Sequence, residues 1–307
     1  MVTALSTRSV PRPTLDAGEL RAALGDPAAA PVVLDVRWHL GGPSGEEDFD
    51  AGHIPGAVFV DLDAELAGRP GPAGRHPLPD PDDLEETLRR VGVGRRSSVV
   101  VYDGGDAMAA ARAWWVLRWA GLPADRVRVL DGGWPAWIAG GGEQSTTGGG
   151  RPMGDVAVAA GAMPVLVADT AAALGERGAL LDARAPQRFA GENEPVDPVA
   201  GHVPGARNVP ASTLLGPDGR YRPPGELAEL LGPYTEGPAP GAAGVAGPAV
   251  GAYCGSGVSA TMLVLAAELA GLRGPDAPVA LYVGSWSHWC AARRPVETGA
   301  DPGTGTG

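Results

Sequence analysis

Lysine is missing altogether from this 307-residue chain, and every one of its 24 basic side chains is arginine. That excludes Schiff-base and pyridoxal-lysine chemistry and the phosphate-loop lysine. Cysteine is scarce: Cys254 and Cys290 are the only two, too few for a disulfide framework, and neither a CxxC pair nor a Cys/His zinc spacing occurs. No glycine fingerprint for a dinucleotide follows a strand pattern, so the expectation is that no metal, flavin or nucleotide cofactor is required. Positive charge is outnumbered, with a formal net charge of −12. That sign disfavours nucleic acid or an anionic membrane as partner. No run of 18 apolar residues offers a membrane span, and the opening residues have no apolar core of signal-peptide type. The expected location is the reducing cytoplasm.

What is present is a globular balance of 44% apolar and 20% charged residues, in a chain long enough for two domains. The chain also repeats itself. Leu34-Asp35-Val36-Arg37 returns as Leu181-Asp182-Ala183-Arg184, and Gly52-His53-Ile54-Pro55-Gly56 as Gly201-His202-Val203-Pro204-Gly205. Tyr102-Asp103-Gly104-Gly105 matches Tyr253-Cys254-Gly255-Ser256, and Gly132-Gly133-Trp134 matches Gly284-Ser285-Trp286. The matches keep their order, so the chain reads as two copies of one domain. The boundaries are an N-terminal arm over 1–14, a first domain over 15–140, a Gly/Pro-rich linker over 141–164, a second domain over 165–295 and a tail over 296–307. The composition of the linker predicts a flexible, solvated tether. A second loose insert is expected over 232–247.

In each copy short apolar runs alternate with helical stretches. Strands are expected at 32–36, 98–102 and 127–130 and again at 179–181, 249–253 and 279–283. Helices are expected over 108–120 and 259–270. Such alternation predicts an α/β fold with a parallel sheet covered on both faces in each domain. Ligands of such folds sit beyond the carboxyl ends of the strands, where Asp103 and Cys254 fall.

Cys254-Gly255-Ser256-Gly257-Val258-Ser259-Ala260 is the strongest local signal. Small residues between a strand and a helix let the backbone curl, so that several N–H groups and a helix N-terminus face the sulfur and favour a thiolate. Only the second copy carries this thiol, since Asp103 holds the matching place in the first. Cys290 reads as a small core hydrophobe. His53 and His202 read as turn-fixing residues.

The repeated segments and the Cys254 loop together resemble the tandem-domain rhodanese superfamily, over about residues 15–295. The loop is similar to that of 3-mercaptopyruvate sulfurtransferases. Thiosulfate sulfurtransferases of the usual type carry basic residues just after the cysteine, where this chain has Gly255 and Ser256. The resemblance implies that Cys254 accepts sulfur as a persulfide and that Ser256, His76 and Asp63 relay a proton. It also implies that Arg188 grips the donor carboxylate while Gly255, Gly257, Val258 and Ser259 shape its site. The family's second arginine is absent from the stretch Glu192–Asp197, which leaves Arg37 or Arg75 of the other domain to compensate.

The implied activity is transfer of a sulfane sulfur from 3-mercaptopyruvate to a thiol, such as a small thiol or a thioredoxin-like protein, or to cyanide, with release of pyruvate. Thiosulfate as the donor and a carrier without turnover are the alternatives. A phosphatase reading fails at Ala260, where such loops need arginine.

Overall fold

The computed structural model describes residues 12–26, 29–235 and 250–300. Most of the expected arm, the greater part of the 232–247 insert and the last residues of the tail lie outside the described residues. Among the described residues no helix is long and apolar enough to cross a membrane.

The first sheet holds β1 (Thr14–Leu15), β2 (Val32–Asp35), β3 (Val58–Phe59), β4 (Val99–Tyr102) and β5 (Val127–Leu130) in the order β1-β5-β4-β2-β3, all parallel. The second holds β6 (Leu180–Asp182), β7 (Arg207–Asn208), β8 (Gly251–Tyr253) and β9 (Ala280–Leu281) in the order β7-β6-β8-β9, again parallel. Val165 bridges Leu281 in parallel, where β1 stands in the first sheet. The two sheets therefore share one topology. Strands β2 and β4 are buried along their whole length, as befits strands with both faces covered.

The repeated motifs are one network built twice. Arg37 chelates Asp35 (Nη2–Oδ2 2.7 Å) and donates to the Gly52 carbonyl, while Arg184 chelates Asp182 (2.6 Å) and donates to Gly201. His53 bonds the Phe49 carbonyl and stacks on its ring, and His202 does the same with Phe189. Trp134 lies under Arg37, and Trp286 under Arg184 at 4.5 Å. The arginine ties the strand end to the turn, and the aromatic ring covers the charge. Both histidines thus fix their turns.

Helix Met108–Trp119 is buried on all sides except at Met108. It packs on helix Ala260–Leu269 of the second domain, itself apolar nearly all round. A helix without a polar face belongs inside a structure, and here the inside is the seam between the domains. Each domain also sends a hairpin onto the other. The 71–74 turn places Gly74 against Gly284, with Arg75 N donating to Ser287 Oγ at 3.1 Å. The 215–221 hairpin returns the contact, with Tyr221 N donating to Asp131 Oδ1 at 2.9 Å.

The linker is largely exposed, as its composition predicts, but it is tied down rather than loose. Ser145 pairs with His53 through the backbone, and Gly154, Ala159 and Gly161 donate to the carbonyls of Arg89, Ala120 and Trp119. Val156 and Met163 are buried. The glycines serve close approach, since a Cβ on Gly154 would stand 2.0 Å from the Val93 carbonyl oxygen. The described start of the 232–247 segment is not loose. Helix Pro224–Thr235 continues through its first residues despite Pro233, because Leu231 and Thr235 are buried.

Arg184 is 1% exposed and Asp182 fully buried. Asp182→Ala leaves that guanidinium short of charge and is expected to lower the unfolding free energy by about 3–5 kcal/mol. Arg90→Ala, which breaks the exposed pair with Glu65, is expected to cost less than about 1 kcal/mol. Urea unfolding of the two variants checks the contrast.

Candidate active site

Cys254 follows β8 directly, and its loop leads into helix Ala260–Leu269. Its Sγ accepts one main-chain hydrogen bond, from Gly257 N at 3.1 Å. The sequence leads one to expect several such donors, but the loop turns so that a single amide reaches the sulfur. Gly257 has φ +83°, and a Cβ there would lie 2.4 Å from the Val283 carbonyl oxygen, so the turn needs glycine. The loop is pinned from the second domain's last helical segment. Cys254 N donates to Ser285 Oγ (3.1 Å), and the amides of Trp286 and Ser287 donate to the carbonyls of Cys254 and Gly255 (both 3.0 Å).

The thiol is 1% exposed, yet it lines a cavity of about 280 Å³. Gly255, Ser256, Val258 and Ser259 line the same cavity. Arg188 enters it from the short helix Pro186–Ala190. Its Nε and Nη2 bond Glu194 (3.1 and 2.6 Å), and Nη2 also reaches Asp197 at 3.3 Å. The stretch without a second arginine thus supplies two acids that hold the first one. Burial opposes ionisation of Glu194, but the Arg188 hydrogen bond and the amides of Asp197 and Val196 outweigh it and keep its carboxyl below the usual range.

Of the other two candidate arginines, Arg37 is spent on Asp35 and Gly52. Arg75 lines the cavity and pairs with Asp197 across the domain seam.

His76 and Asp63 come together, Nε2 to Oδ1 at 2.9 Å. Trp38 Nε1 donates to Asp63 Oδ2 at 2.9 Å, and the Trp38 ring meets His76 edge-on. Among the described residues no hydrogen bond joins His76 to Ser256, and His76 Nδ1 is buried without a partner. Trp38, rather than His76, lines the cavity. Burial chiefly pushes the imidazole pKa below its ordinary value, helped by Arg112 and Arg75 and opposed by Asp63.

Sequence reasoning missed Trp38, Glu194, Asp197 and Arg112. Arg112 carried a legible signal, one of two charges, with Arg118, in a helix otherwise fit only for burial. It is fully buried, and among the described residues no carboxylate pairs with it. Nη1 donates to Gly257 O (3.2 Å), and Nη2 donates to the carbonyls of His76 (3.2 Å) and Pro77 (3.4 Å). Burial pushes its pKa down to about 10, while the Cys254 sulfur works to raise it. One guanidinium thus spans the sulfur loop and the His76 segment.

The matching place in the first domain is closed. Asp103 accepts from Gly105 N (2.9 Å) and Ala110 N (3.0 Å), and burial pushes its carboxyl up to about 7. Cys290 packs in the core of the second domain, where burial lifts its thiol to about 11.

Two like-folded α/β domains with one loop thiol beneath a cleft between them define a tandem-repeat protein with a single cysteine site. A rhodanese-like domain model matches residues 16–140 and again 167–292. The chain belongs to the rhodanese-like family. It is 45% identical over 287 residues to the Mycobacterium tuberculosis protein SseB, provisionally named a thiosulfate sulfurtransferase, covering 90% of this chain and 92% of that one. It is 43% identical over 298 residues to a Pseudomonas aeruginosa protein provisionally named a 3-mercaptopyruvate sulfurtransferase, covering 93% and 98%. The crystal structure of SseA from Escherichia coli, described among the 3-mercaptopyruvate sulfotransferases, superposes with a TM-score of 0.74 at 29% identity, over 90% of this chain and 99% of that one.

Two outcomes are expected. Arg112→Met removes the buried positive charge beside the sulfur and slows alkylation of Cys254 by iodoacetamide about tenfold at neutral pH, read from intact-mass time courses. If neutral His76 is needed, kcat/KM falls only as pH drops through a value below the ordinary imidazole pKa of about 6.5. Asp63→Asn removes a charge that favours the imidazolium, so it moves this acid limb lower still; a pH–rate profile of both proteins reads the shift.

Proposed function

We propose that the chain moves sulfur from 3-mercaptopyruvate, through a persulfide on Cys254, to an acceptor thiol or cyanide, and releases pyruvate. The observation that carries this reading is the Cys254 sulfur at the base of a cavity whose rim bears Arg188 and Arg75. A small anionic donor seated there presents its sulfur to the thiolate and its carboxylate to guanidinium, the fork that pairs best with it. The names of the Pseudomonas and Escherichia coli relatives support the same donor.

The Cys254 thiolate attacks the donor's thiol sulfur, forming the S–S bond. The C–S bond breaks, and its electron pair stays on carbon as the pyruvate enolate. The proton of the new Cys–S–SH group passes to the enolate carbon, leaving pyruvate and a persulfide anion. Ser256, at the cavity, and the His76–Asp63 pair behind Trp38 are the groups proposed to carry that proton. The Gly257 amide and the nearby Arg112 charge stabilise the anionic sulfur. An acceptor thiolate or cyanide then takes the outer sulfur, and the S–S electrons return to Cys254. Acceptors of this kind are expected in a reducing cytoplasm, a small thiol or a thioredoxin-like protein among them.

Thiosulfate is the second reading, favoured by the name of the Mycobacterium relative. Against it stands the neutral pair Gly255 and Ser256, where a dianion would call for a basic side chain.

Intact mass after brief exposure to each donor tests the proposal. A gain of one sulfur atom is expected with 3-mercaptopyruvate, together with one pyruvate per site, and neither in Cys254→Ser. A gain with thiosulfate alone, with sulfite released, would establish the second reading. No gain with any donor would remove sulfur transfer altogether.

A further inference from the structure

We propose that Arg75, carried in by the first domain, is the second jaw of a carboxylate clamp whose first jaw is Arg188, and that the clamp favours a monocarboxylate donor over a dianion. The inference rests on the sulfur-transfer reading above and names the residues that select its donor.

The two guanidinium groups are held by one acid. Asp197 Oδ1 accepts from Arg75 Nη1 and Oδ2 from Arg188 Nη2, and the Asp197 side chain is almost wholly buried. Glu194 takes the remaining acid-facing donors of Arg188. Each guanidinium is left with one terminal nitrogen, Arg75 Nη2 and Arg188 Nη1, that has no hydrogen-bond partner among the described residues. Both come to the same spot. A Cβ on Gly255 would stand 2.8 Å from Arg75 Nη2 and 3.5 Å from Arg188 Nη1. The free N–H groups of two domains therefore converge over the residue next to the nucleophile, in the cavity that Cys254 lines.

Gly255 keeps this space open. A side chain at that position would have to push Arg75 Nη2 aside and so disturb its pairing with Asp197. Because Asp197 and Glu194 fix the rotamers, little side-chain freedom is lost when a carboxylate enters. The same acids set the charge. Arg75, Arg184 and Arg188 against Asp182, Glu194 and Asp197 leave the rim close to neutral, so a single carboxylate is accommodated through directed hydrogen bonds. A dianion brings a second negative charge toward Asp197 and Glu194 that nothing on the rim offsets.

The test uses 3-mercaptopropionate, which keeps the thiol and carboxylate but lacks the carbonyl needed to release an enolate. Its dissociation constant is measured by calorimetry for wild type, Arg75→Gln, Arg75→Lys and Arg188→Gln, with thiosulfate titrated in parallel. Arg75→Gln and Arg188→Gln are each expected to weaken 3-mercaptopropionate at least tenfold. Arg75→Lys is expected to recover part of the loss, because an ammonium keeps the charge but not the fork. Wild type is expected to bind the monocarboxylate more tightly than thiosulfate. If Arg75→Gln binds 3-mercaptopropionate within twofold of wild type, the clamp is wrong, and if wild type prefers thiosulfate the selectivity is wrong. The wild-type sulfur gain by mass is scored separately. The sulfur-transfer reading can therefore fail while the clamp stands, and the clamp can fail while sulfur transfer stands.

Discussion

A buried arginine without a carboxylate partner among the described residues governs how the two halves of this molecule meet. A guanidinium sealed in the seam must spend its donors on whatever oxygen it can reach. Arg112 spends them on the carbonyl of Gly257 in the sulfur loop and on those of His76 and Pro77 in the facing segment. Those bonds fix the distance between two pieces of chain that belong to different domains. They also place an unneutralised positive charge close enough to Cys254 to interact with its sulfur. The apolar packing of helix Met108–Trp119 on helix Ala260–Leu269 excludes the water that would otherwise weaken that charge.

Around that seam the repeat has been put to two uses. The Asp-x-Arg pair, the stacked histidine and the tryptophan over the arginine recur almost bond for bond in both domains. They frame a strand end and a turn, which any copy of the fold needs. The loop after β4 in the first sheet and after β8 in the second is where the copies part. In one it closes on a carboxylate bonded to its own backbone amides, and in the other it opens on a thiol beneath a cavity. Each domain lends the other a hairpin, so the working loop of the second domain is walled by the first.

Acid and base at the cavity rim are balanced across the same boundary. Asp197 takes one oxygen to each domain's arginine. Guanidinium groups held in advance have less side-chain freedom left to lose when a ligand arrives. The buried His76 imidazole is likewise held in place, by the exposed Asp63 carboxylate, whose other oxygen accepts from Trp38.

The sequence by itself determined the double domain, the parallel α/β layering, the turn roles of His53 and His202 and the thiol loop at Cys254. Each rests on local chemistry: short apolar runs, glycine where a turn demands it, and a motif whose partners lie within a few dozen residues. What only the tertiary structure decided depends on pairs far apart in the chain. Glycines in 141–164 looked like slack, but they let the backbone press against Gly56 and Val93. The stretch from Glu192 to Asp197 looked like a lost binding site, but its acids aim Arg188 and enlist Arg75 from more than a hundred residues away. The meaning of Arg112, Trp38 and Asp197 lies in the groups that fold against them, and a linear pattern does not record which buried charge will find which oxygen.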